Sequence, residues 1–189
     1  METTYGDRQH KQLEPSIEEF HEVINETVSR GGNVIIPTFA LERAQEILFY
    51  LHAGKQDGIL PDFLQVFLDS PMAISATEIF RRHPECYDEH TASLFARGHD
   101  PFQFSGLHFT RETADSMAIN QIHSGAVIMA GSGMCTGGRI RHHLRQHLGR
   151  EHSSIVFVGY AAHGTLARRI VDGARSVSIF GDEYPVRAA

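Results

Sequence analysis

The sequence predicts an α/β domain with a mainly parallel sheet and helices on both faces. Three observations carry that reading. Short, nearly continuous apolar runs recur along the chain, as strands buried on both faces do. Longer amphipathic stretches separate them, which is the alternation expected of βα units joined by right-handed crossovers. The chain has 189 residues, 41% of them hydrophobic and 21% charged, which suits a single packed domain rather than a disordered segment.

Ile17–Arg30 sets Ile17, Phe20, Val23, Ile24 and Val28 on one helical face with glutamates opposite, and Gly31-Gly32 ends it. Asn33–Pro37 (NVIIP) reads as the first strand. Leu41–Ala53 has Leu41, Ala44, Ile47, Leu48 and Leu51 at helical spacing, with Thr38 as a candidate cap. Phe63–Asp69 reads as a strand. Ala73–Arg82 follows as a helix, with Ser70 as N-cap and Pro71 at its first position. Ala96–Ser105 is the most irregular stretch, and Gly106–Phe109 a weak strand. Ala114–His123 reads as a helix, Ala126–Ala130 as a strand and Ile140–Leu148 as a helix. Ser154–Gly159 and Val177–Phe180 read as further strands of the sheet, separated by a helix over Leu166–Val171 with Thr165 as its cap.

Composition excludes several classes. No apolar run approaches the length of a membrane span, and the polar, acidic start of the chain excludes a secretory leader. Two cysteines, Cys86 and Cys135, cannot make a disulfide framework and suit a reducing cytoplasm, which is the expected location. The net charge of -6 argues against a generic nucleic-acid binder, but the charge is uneven. Residues 139–189 hold 8 Lys+Arg against 4 Asp+Glu, while residues 1–138 hold 9 against 19.

The 13 histidines invite a metal hypothesis. Their spacing does not support one: there is no His-x-His, no His-Glu-x-x-His and no Cys-x-x-Cys. The best pair is His143 and His147, at i and i+4 on a helix without an evident third ligand. His142, His143 and His147 read instead as polar surface or anion-contacting residues, and no metal is assigned to the chain's own residues.

Ligands of α/β sheets bind beyond the carboxyl ends of the strands, so the loops there are the candidate site. After the first strand, Arg43 lies near a helix start, where a cation is explained either by an anionic ligand or by a salt bridge to Glu42 or Glu46. After the second, Asp69 and Ser70 point toward the same edge. After Ala126–Ala130 comes Gly131-Ser132-Gly133-Met134-Cys135-Thr136-Gly137-Gly138-Arg139, whose four glycines allow backbone N–H groups to face a ligand. It is neither a P-loop nor Gly-x-Gly-x-x-Gly. It runs into Arg139, Arg141, Arg145 and Arg150 with no acid among them, a combination suited to phosphate. Arg168 and Arg169 lie near another helix start. Repeated basic loops at one sheet edge suit an extended polyanion such as a nucleic-acid strand.

Six segments, in order, resemble the β-CASP proteins of the metallo-β-lactamase fold. They are Glu2-Thr3-Thr4-Tyr5-Gly6-Asp7-Arg8; Gly31 to Ala40 with Arg43-Ala44-Gln45-Glu46; Leu68-Asp69-Ser70-Pro71-Met72-Ala73; the Gly131–Arg139 loop; Phe157-Val158-Gly159-Tyr160 with Gly164-Thr165-Leu166; and Phe180-Gly181 with Pro185-Val186-Arg187-Ala188. The resemblance runs from Glu2 to Ala188 and implies a Rossmann-like β-CASP domain occupying residues 1–189. It implies a part in zinc-dependent nucleases, mostly acting on RNA, such as ribonuclease J and the polyadenylation cleavage factors. Glu2 matches the family's acidic motif beside the metal centre and is the one catalytic residue that carries over. The family's His-x-His-x-Asp-His segment and its later histidines have no counterpart here. The chain therefore reads as the β-CASP insertion without its flanking metallo-β-lactamase halves, with two zinc ions expected only in the complete enzyme.

These readings make the chain the RNA-binding lobe of a metal-dependent ribonuclease, inactive alone. RNA phosphates would be contacted by Arg43, Ser70, Ser132, Gly133, Arg139, His142, His143 and Arg168, with Glu2 supporting the metal centre. The missing metallo-β-lactamase domain is the expected protein partner, with a homodimer as a further candidate and no membrane role. Two alternatives stay open: a stand-alone nucleotide- or anion-binding Rossmann-like module, and an interaction domain that has lost its enzyme.

Overall fold

The computed structural model describes Gly6 and residues 11–189. The elements run α1 (Leu13–Ser29), β1 (Val34–Pro37), α2 (Arg43–Gln56), β2 (Gln65–Leu68), α3 (Pro71–Arg82), α4 (Glu89–Ala96), β3 (Leu107–Phe109), α5 (Thr113–Ala118), β4 (Ala126–Ala130), α6 (Ile140–His147), β5 (Ser154–Ile155), α7 (Leu166–Val171), β6 (Ser176–Ile179) and β7 (Asp182–Pro185). Short 3₁₀ turns cover Pro84–Cys86 and Ile119–Gln121.

Strands β1 to β5 form one sheet in the order β3-β2-β4-β1-β5. Every pairing in it is parallel. β1 and β4 are buried along their whole length, which is why their sequences lack alternation. The alternation is present in the packing instead. Val34, Ile36, Val66, Leu68, Val127 and Met129 face one layer, against Phe20 and Ile24 of α1, Leu48 and Leu51 of α2 and Ile74 of α3. Ile35 and Ala130 face the other layer, with Ile140 and Leu144 of α6, Ala167 of α7 and Val177 and Ile179 of β6. Ile128 packs on that side with Ile119. The result is a three-layer sandwich.

Local chemistry sets the helix ends. The Ser70 hydroxyl accepts from the Ala73 amide at 3.3 Å, with Pro71 opening α3. Thr165 caps α7 by accepting from Arg168 N at 3.2 Å. Asp88 caps α4, a helix the sequence reading did not assign, by accepting from Thr91 N at 3.0 Å. α1 closes into Gly31, whose φ of +80° is the left-handed turn that favours glycine.

Four sequence expectations are corrected. The segment Val177–Phe180 does not join the parallel sheet: β6 pairs antiparallel with β7 in a separate hairpin. Only Ser154–Ile155 of the expected strand Ser154–Gly159 is strand, because β5 is an edge strand paired to β1 alone within the sheet. The expected helix over Ala114–His123 ends at Ala118 and tightens into a 3₁₀ turn. Thr38 does not cap α2: that helix starts at Arg43 after Glu42, which has φ +64°.

Candidate nucleic-acid interface

The strand order creates the site. Central β4 lies between β1 and β2. The helices that follow β1 and β2 pack on one face of the sheet, while α6 after β4 packs on the other. Neighbouring loops at the carboxyl edge therefore diverge, and a crevice opens between them. Thr38 N donates to Ala130 O at 3.0 Å and Asp69 N to Met129 O at 2.8 Å, which aligns the three loop starts. The resulting cleft has a volume of about 650 Å³ and is lined by Thr38, Phe39, Asp69, Ser70, Met72, Ser132, Gly138 and Arg139 among others.

Asp69 is the cleft's buried anchor, with 0% exposure. Its Oδ1 accepts from Thr110 Oγ1 at 2.7 Å and from the Arg139 guanidinium at 2.8 Å. Its Oδ2 accepts from Ser116 Oγ at 2.6 Å and meets His143 Nε2 at 2.6 Å. Burial alone would push this carboxyl up. The hydrogen bonds from His143, Ser116 and Thr110 outweigh it and bring the pKa down to about 2. Arg139 also donates to the backbone oxygens of Thr110 at 2.9 Å and Arg111 at 2.7 Å. One carboxylate thus ties the end of β2 to the segment after β3 and to the start of α6.

The glycine-rich loop folds on itself. Ser132 N donates to Gly137 O at 3.1 Å and Ile140 N to Gly131 O at 3.1 Å. The Ser132 hydroxyl accepts from the amides of Thr136 at 3.2 Å and Gly137 at 3.4 Å. These amides, expected from the sequence to face a ligand, are turned inward. Glycine is required at position 138: φ is +77°, and a Cβ would stand 2.2 Å from Gly131 O. At Gly133 a Cβ would stand 2.9 Å from the Phe39 ring, so the absent side chain lets that ring lie against the loop.

The sequence-derived candidates separate into distinct places. Ser70, Ser132 and Arg139 line the cleft. Gly133 and Arg43 border a neighbouring crevice with Phe39 and Tyr160. Arg43 is paired with Glu46, the salt bridge that was one of its two sequence readings. Arg168 pairs with Asp172, its Nε donating at 3.0 Å. His142 is exposed on α6 and lies tilted against Phe180, with 4.7 Å between ring centroids. Burial, then Arg145, His143 and Arg141, lowers its pKa. His143 is only 1% exposed and spends Nε2 on Asp69, so the structure places it in the interior rather than on a phosphate-facing surface. Glu2 lies outside the described residues.

His147 is also interior, with Nδ1 3.3 Å from Ser153 Oγ. Its pKa is brought down to about 3 by burial, then by Arg150 and His143. His143 Nδ1 and His147 Nε2 have no hydrogen-bond partner. Among the described residues no three His, Cys, Asp or Glu side chains converge as a metal site would require, so zinc does not fit this set of donors. Asp69, buried and four times hydrogen-bonded, cannot serve as a general base. The buried Cys135 thiol, pushed up to about 12 by burial, is no nucleophile.

The sequence reading missed Thr110 and Ser116 as Asp69 partners and the exposed apolar side chains at the cleft, Phe39 at 45% and Met72 at 74%. For His143 and His147 a signal existed. Ile140, His143, Leu144, His147 and Leu148 follow the i, i+3, i+4, i+7, i+8 spacing of one buried helical face.

Comparison with known proteins agrees with this architecture. The family model described as the Beta-Casp domain matches residues 44–170. Ribonuclease TTHA0252 of Thermus thermophilus is 41% identical over 189 residues, all of this chain and 43% of that protein. Transcription termination factor FttA of Thermococcus kodakarensis is 36% identical over 191 residues, and that of Pyrococcus abyssi 33% over 186, each match covering 97% of this chain and 28% of the relative. The chain thus spans less than half the length of these curated relatives.

Proposed function

Because the chain belongs to the Beta-Casp domain family, we propose that it is the RNA-binding lobe of a metal-dependent ribonuclease that acts in RNA processing or decay in the cytoplasm. The observation that carries this reading is the cleft at the carboxyl edge of the sheet. It is shaped by a glycine-rich loop and locked by a buried carboxylate, and none of its described groups is poised to break a bond. Phosphodiester hydrolysis would belong to a flanking metallo-β-lactamase-fold part, which would hold the zinc ions outside the residues described here. Glu2, near the chain's start, would support that centre.

In this role Ser70 and Ser132 offer hydroxyls to phosphate oxygens, and Phe39 and Met72 offer apolar surface to bases. The basic end of the chain supplies the electrostatic attraction that the net charge of -6 conceals. Fluorescence anisotropy of the 189-residue chain with labelled single-stranded RNA, in parallel with a cleavage assay in zinc, tests the reading. The expected result is binding that strengthens with RNA length, weakens with salt, and gives no cleavage. Saturable binding of a mononucleotide with none of longer RNA, or cleavage that survives substitution of Glu2, would contradict it. Light scattering of the same sample tests whether a second copy is a partner.

A further inference from the structure

The two-residue turn between β6 and β7 consists of Phe180 and Gly181, with φ of +56° and +95°. Two successive left-handed residues make a hairpin turn that asks for Asn, Asp or Gly at its first position. A bulky aromatic residue there is a conformational outlier. Packing does not explain it. The hairpin is already anchored beneath α6 by Val177 and Ile179, each 0% exposed, whereas Phe180 stays 46% exposed.

The ring's surroundings are chemically specific. The Arg141 guanidinium lies 4.3 Å and that of Arg145 6.0 Å from the ring centroid. His142 adds a second aromatic ring at 4.7 Å. All three come from the first two turns of α6. Among the described residues neither Arg141 nor Arg145 has a carboxylate partner, in contrast to Arg139, Arg43 and Arg168. A half-exposed aromatic ring set among guanidiniums that no acid among the described residues neutralises is the pattern by which proteins hold single strands: planar groups take a base, cations take the flanking phosphates.

We propose that Phe180, with His142, Arg141 and Arg145, forms a nucleobase-stacking subsite for single-stranded RNA at the tip of the β6–β7 hairpin. The proposal rests on the RNA-binding role and extends it to a place outside the cleft. Arg141 is two residues beyond Arg139, which lines the cleft.

The turn supplies the decisive variant. Phe180→Asn removes the ring while installing a residue the turn prefers, so the hairpin is kept. Binding of a single-stranded 12-nucleotide RNA is compared with that of an RNA of equal length carrying abasic sites. The wild-type chain should prefer the base-bearing RNA. Phe180→Asn should lose about five- to tenfold in affinity for it, with little change for the abasic strand, and Phe180→Tyr should retain the preference. Arg141→Gln with Arg145→Gln should weaken both RNAs and flatten the salt dependence. Equal RNA affinity of wild type and Phe180→Asn would overturn the subsite while leaving the lobe's role intact. No RNA binding by the wild-type chain would overturn both.

Discussion

Helix α6 divides two regions built on opposite principles. On its inner side His143, with Arg139 just before the helix, closes on Asp69, and each oxygen of that buried carboxylate takes two partners. On its outer side Arg141, His142 and Arg145 surround a half-exposed ring without a carboxylate partner among the described residues. The first region has spent its hydrogen-bonding capacity on holding three loops in register. The second keeps cationic and aromatic groups at the surface. Basic residues only two positions apart therefore differ: Arg139 holds the cleft in place, whereas Arg141 stays at the surface beside Phe180.

The contrast can be broken first at Asp69. Asp69→Ala leaves the partly buried Arg139 guanidinium without its carboxylate and takes the hydrogen-bond partner from His143, Thr110 and Ser116, and should cost about 3–5 kcal/mol of stability in urea unfolding. Asp69→Asn, which keeps the shape, should cost less. A loss below about 1 kcal/mol for the alanine variant would show that the latch does not hold the fold.

The same latch should appear in the pH dependence. The Asp69 pKa is depressed to about 2 in the folded state, below an unfolded value of about 3.9. Its contribution is present above the unfolded value and is lost as pH falls through the folded one. His147, depressed to about 3 from an unfolded value near 6.5, acts in the same direction. The unfolded chain binds its proton first, so stability drops as pH falls from about 6.5 toward 3. The loss of stability should therefore begin near pH 6, and His147→Gln should remove about one proton of uptake on unfolding between pH 6.5 and 4. A stability curve flat across that window would contradict the placement of His147.

Gly138→Ala should cost about 1–3 kcal/mol, through a left-handed backbone and a clash with Gly131 O, and should weaken RNA binding by deforming the cleft. The smallest effects on stability belong to the outer surface. Arg168→Ala removes a partly exposed pair with Asp172 and should change stability by less than about 1 kcal/mol. Phe180→Asn should leave thermal unfolding unchanged or slightly raised.

Where chain-local chemistry decides, the structure was legible in sequence. β4 and α7 follow their assigned ranges, because a continuous apolar run and a Thr165 cap each specify one element. α3 follows from Ser70 and Pro71. What was not legible depends on long-range partners. An isolated run such as Val177–Phe180 does not reveal that its neighbour is the next strand and not the sheet. Nor could Asp69 reveal Thr110, Ser116 and His143, which lie 41, 47 and 74 residues away. The glycine-rich loop was found by composition, but whether its amides face outward is set by the tertiary closure of Ser132 on Gly137.

The most direct measurement is a backbone and arginine side-chain NMR titration of the chain with single-stranded RNA. The expected shifts fall on Ser70, Ser132, the outer face of α6 at Arg141, His142 and Arg145, and Phe180, with His147 unmoved. Shifts confined to the apolar groove between α1 and α2 around Phe20 and Tyr50, or no shifts at all, would contradict the account.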